Sequence, residues 1–129
     1  MTSLLKLIKL WVPVLLWGAL IYHLSGIPNL CISTGIWGFV LRKAAHIAEF
    51  FVLTLLLYRA FGETFDLSPL YLFIYPAGLS ILYAVSDEIH QFFTPSRVCS
   101  FCDVIVDSAG ILFFFIIIRF KKIQLSKAA

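Results

Sequence analysis

Residues 41–61 read LRKAAHIAEFFVLTLLLYRAF. From Phe50 to Tyr58 the stretch is nearly all hydrocarbon, yet its first part carries Arg42, Lys43, His46 and Glu49. A membrane span needs about 20 mostly apolar residues, and this block has that length. It is the least clean of four such blocks. The others cover residues 7–24 (LIKLWVPVLLWGALIYHL), 68–85 and 101–118, the last with Asp103 and Asp107 in its first half. Composition agrees with spans: 61% of the 129 residues are hydrophobic and 13% are charged, whereas soluble domains are about half apolar and about a quarter charged. The apolar residues also come in blocks rather than in alternation. The chain therefore reads as all-α, a single four-helix transmembrane bundle over residues 1–129. It has no internal repeat, low-complexity tract or long linker.

Lys6 and Lys9 would also suit the start of a secretory signal peptide. The end of that block, YHLSGIPNL, lacks an A-x-A-like cleavage site, so a retained span is expected. Trp11, Trp17, Tyr22 and Trp37 are expected as anchors at the membrane interface. Pro13 and Pro76 are expected to kink their spans, where neighbouring helices re-satisfy the freed carbonyls.

With four spans, both termini and the second loop share one side. That side carries Lys6, Lys9, Arg59, Arg119, Lys121, Lys122 and Lys127, against Arg42, Lys43 and Arg97 on the other. Seven cations against three place both termini in the cytoplasm. The net charge of +3 then reflects anchoring, and no aromatic-interleaved basic surface points to nucleic acid. In this orientation the start of the second helix, the end of the third and the start of the fourth meet at the outer leaflet.

Residues three, four or seven apart share a helix face. Arg42, His46 and Glu49 do so in the second helix. Tyr83, Asp87 and His90 do so in the third, and Asp103, Asp107 and Gly110 in the fourth. A charged side chain at a helix centre in hydrocarbon costs about 2.5 to 3.5 kcal/mol on insertion scales. Turning the three polar faces towards each other lowers that cost and makes a wet pocket open to the outside. A set of salt bridges that only fixes helix register is the plainer alternative. Small residues beside Asp107 (Ser108, Ala109, Gly110) would let a neighbouring helix approach closely.

Two stretches carry a family resemblance. RKAAHIAEFFVLTLLLYRAF is similar to the K-x-x-H-x-x-E-[FY] segment of the VanZ-like family of small bacterial membrane proteins, through Lys43, His46 and Glu49. YAVSDEIHQFFTPSR and the following DVIVDSAG resemble its second signature, S-D-E-x-x-Q-x-F-x-P-x-R followed by D-x-x-x-N-x-x-G. Asp87, Glu88, Gln91, Pro95, Arg97, Asp103 and Gly110 match it. The stretch IYHLSGIPNL also resembles the Ser- and Pro-containing segment after the family's first span. This chain has Ser96 where the family often has Gly, and Asp107 where it often has Asn, which adds a carboxylate to the layer. The resemblance implies a multi-pass protein of the bacterial cytoplasmic membrane. It also implies a cell-envelope role of the kind the family is named for, resistance to the glycopeptide teicoplanin.

The candidate ligand-binding set is Arg42, Lys43, His46, Glu49, Asp87, Glu88, Gln91, Arg97, Asp103 and Asp107. Three of these are cationic and five are carboxylates, so with neutral histidines the layer sums to minus two. Carboxylates this close in low dielectric share protons. The first expectation is a pocket for the polar head of a membrane lipid, a lipid-linked envelope molecule or an amphiphilic antibiotic. Lys43 and Arg97 would hold an anionic group, and Phe92, Phe93 and Phe101 would line an apolar mouth.

The second expectation is an intramembrane hydrolase or transferase on a lipid-linked substrate. Its catalytic candidates are His46, Glu49, Asp87 and Glu88, with His90 ranked below His46. The pattern H-E-x-x-H, the G-x-S-x-G elbow and a P-loop are all missing from the sequence. His46, Glu49, Asp87 and His90 are metal-ligand types, but no cofactor and no metal are assigned. A proton-coupled transporter is third, and a homo-oligomer would supply its extra spans. Cys99 and Cys102 form C-x-x-C and Cys31 lies in the first outer loop; without a thioredoxin-like βαβ pattern they read as incidental small residues, ahead of a disulfide or a metal site.

Overall fold

The computed structural model describes residues 2–27, 35–94 and 101–128. They form four helices: α1 (Thr2–Ser25), α2 (Ile36–Thr64), α3 (Pro69–Phe92) and α4 (Phe101–Ala128). No strand occurs among the described residues. Each apolar block of the sequence makes the body of one helix. Local chemistry sets several ends. Gly35, at φ +78°, precedes α2 in backbone space that a side chain would strain. Phe65 turns extended after α2, and its N–H bonds back to the Phe61 carbonyl at 3.0 Å. Pro69 opens α3, where its missing N–H costs nothing. Pro13 and Pro76 lie inside α1 and α3, which both continue through them.

The helices run up, down, up, down, but they do not form a square. α2 packs against all three others, and α3 also touches α1 and α4. α1 and α4 do not pack together among the described residues. α2 and α3 thus meet across the middle. α2 and α4 lie parallel, so that Lys43 meets Asp103, His46 meets Asp107 and Phe51 meets Phe114. α1 and α3 are parallel too: the Tyr83 hydroxyl donates to the Gly18 carbonyl at 2.6 Å, and Ser25 reaches His90.

The closest approach in the bundle is at Gly110. A Cβ there would run into the backbone carbonyl oxygen of Ile47 and sit 3.1 Å from the Phe51 nitrogen. Only glycine leaves room for α2 at this point, which is how small residues bring helices together in lipid.

Apolar and polar residues are arranged inside out relative to a soluble protein. Leu15, Leu16, Leu70, Leu82 and Leu112 each expose more than 60% of their surface. Thr54, Ser80, Asp87, Glu88, Gln91 and Asp107 are buried, beside a core of Ile21, Phe50, Leu53, Leu57 and Ile111. Ser3–Ser25 and Pro69–Phe92 are long and apolar enough to cross a membrane. An apolar exterior of this extent marks a membrane protein.

Two expected interface anchors turn inward instead. The Trp17 indole donates to the Glu49 carbonyl at 2.9 Å, and the Trp11 indole donates to Thr64 Oγ1 at 3.1 Å. Both pin α1 to α2, because a neighbouring acceptor competes with the headgroup region for an indole N–H. Tyr22 stacks on His90, while Trp37 is 71% exposed.

Candidate functional site

The polar residues gather at the end of the bundle where α2 and α4 begin and α3 finishes. Asp107 of α4 is fully buried, and Asp87 and Glu88 of α3 are 3% and 4% exposed. His46 of α2 completes the group. Its Nδ1 lies 3.2 Å from Asp107 Oδ1 and 3.9 Å from Glu49 Oε2, one turn along the same helix. One ligand-type atom each from His46, Asp87 and Asp107 lies within 4.8 Å of the others. Three helices therefore deliver three ionisable side chains to one spot, which the spacings of three and four along each helix allow.

Hydrogen bonding in this group is incomplete. Gln91 Nε2 donates to Asp87 Oδ2 at 2.8 Å, one turn along α3. Asp87 Oδ1, both oxygens of Asp107 and His46 Nδ1 are buried without a hydrogen-bond partner. The approach of His46 Nδ1 to Asp107 is thus a contact without a hydrogen bond aligned along it. Buried polar atoms are nearly always satisfied, and exceptions of this density ask for a reason.

Nearer the helix ends, Lys43 pairs with Asp103, both about one quarter exposed or less. Lys43 also feels the charges of Asp107 and Glu88. These charges form a rim above the buried group. Arg42 is exposed beside it, and Phe92 and Phe93 are 67% and 76% exposed. Cys102 is exposed near the start of α4. Arg97, with Pro95, Ser96, Cys31 and Cys99, lies outside the described residues, as does the side chain of Phe101.

His90 departs from the expected face. It stacks on Tyr22 with ring centroids 3.8 Å apart, and its Nδ1 is 3.2 Å from the Ser25 hydroxyl. It serves the α1–α3 contact, and not the group around His46. Spacing placed it three residues from Asp87, but α1 offers it a ring and a hydroxyl. Ser25 was missed by the helix-face reading; it is 4% exposed and also lies beside Asp87. Its signals were a lone hydroxyl at the end of an apolar run and its place in the Ser- and Pro-containing stretch IYHLSGIPNL. Below the layer, Thr54 and Ser80 share a hydrogen bond of 2.9 Å, and Thr54 also donates to the Phe50 carbonyl at 2.7 Å.

A cavity of about 500 Å³ lies at the opposite end, between Tyr58, Leu72, Phe73 and Phe115, with Arg119 and Lys122 on its wall. Apart from these two cations, the lining among the described residues is hydrocarbon and aromatic and contains no carboxylate.

No curated protein and no solved structure matches the chain. The VanZ/LLP1 family model matches residues 3–122, a span that takes in α1 but for its first residue, all of α2 and α3, most of α4 and every residue of the layer. The chain belongs to the VanZ/LLP1 family.

Proposed function

We propose that this chain is a four-span protein of the bacterial cytoplasmic membrane, with both termini inside. Its buried polar layer, at the outer leaflet, binds the polar head of a lipid-linked or amphiphilic envelope ligand. The observation that carries this reading is the convergence of His46, Asp87 and Asp107 from three helices, with buried oxygens left without hydrogen bonds. An ionisable residue inside a membrane marks a functional site by default, because it is costly to keep. The Lys43–Asp103 pair at the rim supplies a cation for a phosphate or carboxylate, and Arg97 supplies another. Buried carboxylates take amine or hydroxyl donors. The biological setting is the one the family is named for, resistance to teicoplanin-type glycopeptides. A homo-oligomer is compatible with this reading, and nucleic acid has no place in it.

The test is a triple comparison. Glu49→Ala, Asp87→Ala and Arg97→Ala are expected to insert and fold, yet to lose resistance in a glycopeptide susceptibility assay. They are also expected to bind a fluorescent short-chain phospholipid more weakly in detergent. Full activity in all three reduces the cluster to a device for helix register. A reporter fused after Arg97 is expected on the outer side; a cytoplasmic signal overturns the placement of the site.

A second reading has one observation in its favour. His46 faces a buried carboxylate at 3.2 Å, the pairing of a general base with its orienting group. It makes the layer an intramembrane hydrolase or transferase. Product release from a lipid-linked phosphate substrate, lost in His46→Ala, would establish it over simple binding.

A further inference from the structure

We infer that His46, Asp87 and Asp107 bind a divalent first-row metal ion at the centre of the polar layer. Their ligand atoms lie within 4.8 Å of one another. Two ligand atoms on one tetrahedral zinc-like ion, at about 2.0 to 2.2 Å each, lie roughly 3.3 to 3.6 Å apart. The widest pair therefore has to close by up to about 1.5 Å, a distance that side-chain rotation can cover. Asp107 is fully buried, and neither of its oxygens has a hydrogen-bond partner; Asp87 presents Oδ1 and His46 presents Nδ1 in the same state. These are the atoms that a cation would satisfy. Gln91 holds Asp87 Oδ2 at 2.8 Å, which leaves Oδ1 facing the group. A ligating carboxylate held by a hydrogen bond on its other oxygen is the usual supporting arrangement around a metal.

Charge points the same way. Two carboxylates buried beside an imidazole concentrate negative charge in hydrocarbon, which is costly unless paired. A dication neutralises both. A nitrogen ligand with two carboxylates suits zinc or manganese better than calcium or magnesium, which prefer oxygen alone. The ligand set also differs from the one the sequence offered. Glu49 lies outside the triad, His90 is committed to Tyr22 and Ser25, and Asp107 joins His46 and Asp87 instead.

The inference rests on the layer being a working site, but its test is independent of any lipid. The full chain is purified in detergent without chelator, stripped with EDTA, and titrated with Zn²⁺ or Mn²⁺ alone. Metal content, melting temperature and the visible spectrum with Co²⁺ are recorded. Cys102 at the start of α4 and Cys99, three residues before it in the sequence, carry thiols that bind metal, so the Cys99→Ser/Cys102→Ser double variant serves as the background. One equivalent of metal is expected in that background, with a melting temperature that rises with metal. Asp107→Asn and His46→Ala are expected to weaken binding at least tenfold and to lose the Co²⁺ bands. Glu63→Gln at the far end should leave them unchanged. If Asp107→Asn fails to fold, Asp107→Glu is expected to keep the metal with altered bands. Loss of metal in the cysteine double variant, or equal loading in Asp107→Asn, overturns the inference. Metal bound without any phospholipid binding would sustain it while removing the headgroup reading.

Discussion

Where α2 passes α4 near their starts, His46 meets Asp107 and Ile47 meets Gly110. Further along, the same two helices meet through Phe51, Tyr58, Phe114 and Phe115, with ring centroids 5.4 to 6.2 Å apart. One helix pair thus carries two different contacts. At the first, the backbones nearly touch and the two Asp107 oxygens lack hydrogen-bond partners. At the second, rings hold the helices apart and a cavity of about 500 Å³ remains beside them. In lipid there is little hydrophobic drive between helices, so packing and polar contacts decide association. The aromatic end can yield to substitution by re-packing. The polar end cannot, because its geometry is fixed by one glycine and its energy by groups that have nowhere else to go.

The sharpest break of this contrast is Gly110→Val. Its side chain would collide with backbone atoms of α2, which no rotamer change relieves. Overpacking costs about 1 to 3 kcal/mol and occasionally more, and a backbone clash belongs at the top of that range. We expect loss of most folded protein, read as yield of monodisperse protein in detergent. A variant that melts like the wild type would mean that the close approach is dispensable.

Asp107→Asn separates structure from function. It removes a buried charge that has no hydrogen-bond partner, and an unsatisfied buried group costs about 1 to 3 kcal/mol, more when charged. The variant is expected to melt higher than the wild type in EDTA and to lose glycopeptide resistance. Stability and activity moving in opposite directions is the mark of a site kept for its chemistry. A parallel fall in both would make Asp107 a structural anchor.

Phe114→Ala tests the other end. Phe114 is 1% exposed and meets Phe51, Tyr58 and Phe115 edge-on. In a soluble core the loss would be about 3 to 5 kcal/mol. Part of that is transfer from water, which a lipid-facing bundle does not recover. We therefore expect a smaller drop in melting temperature and retained resistance. Loss of resistance in a well-folded Phe114→Ala protein would show that the two ends are coupled.

The layer was legible in the sequence because charge in hydrocarbon has few cheap arrangements. Arg42 apart, the polar positions at spacings of three and four on α2 and α4 do turn inward, and so does Asp87 on α3. The reading failed where a side chain had two polar neighbours to choose from. His90 sits on nearly the same face as Asp87, yet Tyr22 and Ser25 of α1 take it. Nothing in a helix's own spacing reveals what the adjacent helix offers. Trp11 and Trp17 failed for the same reason, since their acceptors lie in α2, more than thirty residues away. The four helices themselves were plain from their apolar runs. The parallel contact of α2 with α4 was not, because helix order along the chain leaves open which pair meets most closely.

The smallest effect is expected at the boundary between the two ends. Thr54 and Ser80 are both fully buried and joined at 2.9 Å, between the levels of Phe51 and Tyr58 along α2 and about two turns beyond His46. Thr54→Val keeps the shape and removes the hydroxyl. Because Thr54 also bonds the Phe50 carbonyl of its own helix, the backbone keeps its helical partners when the hydroxyl is lost. Interhelical hydrogen bonds of this kind average about 0.6 kcal/mol in a membrane protein, with a maximum near 1.7. We expect a melting shift at the low end of that range. If the polar layer ends above Thr54, metal binding and resistance should both stay at wild-type levels. If either falls while the melting temperature barely moves, the Thr54–Ser80 pair belongs to the site, and the boundary between the two ends lies deeper in the bundle than His46 and Asp107.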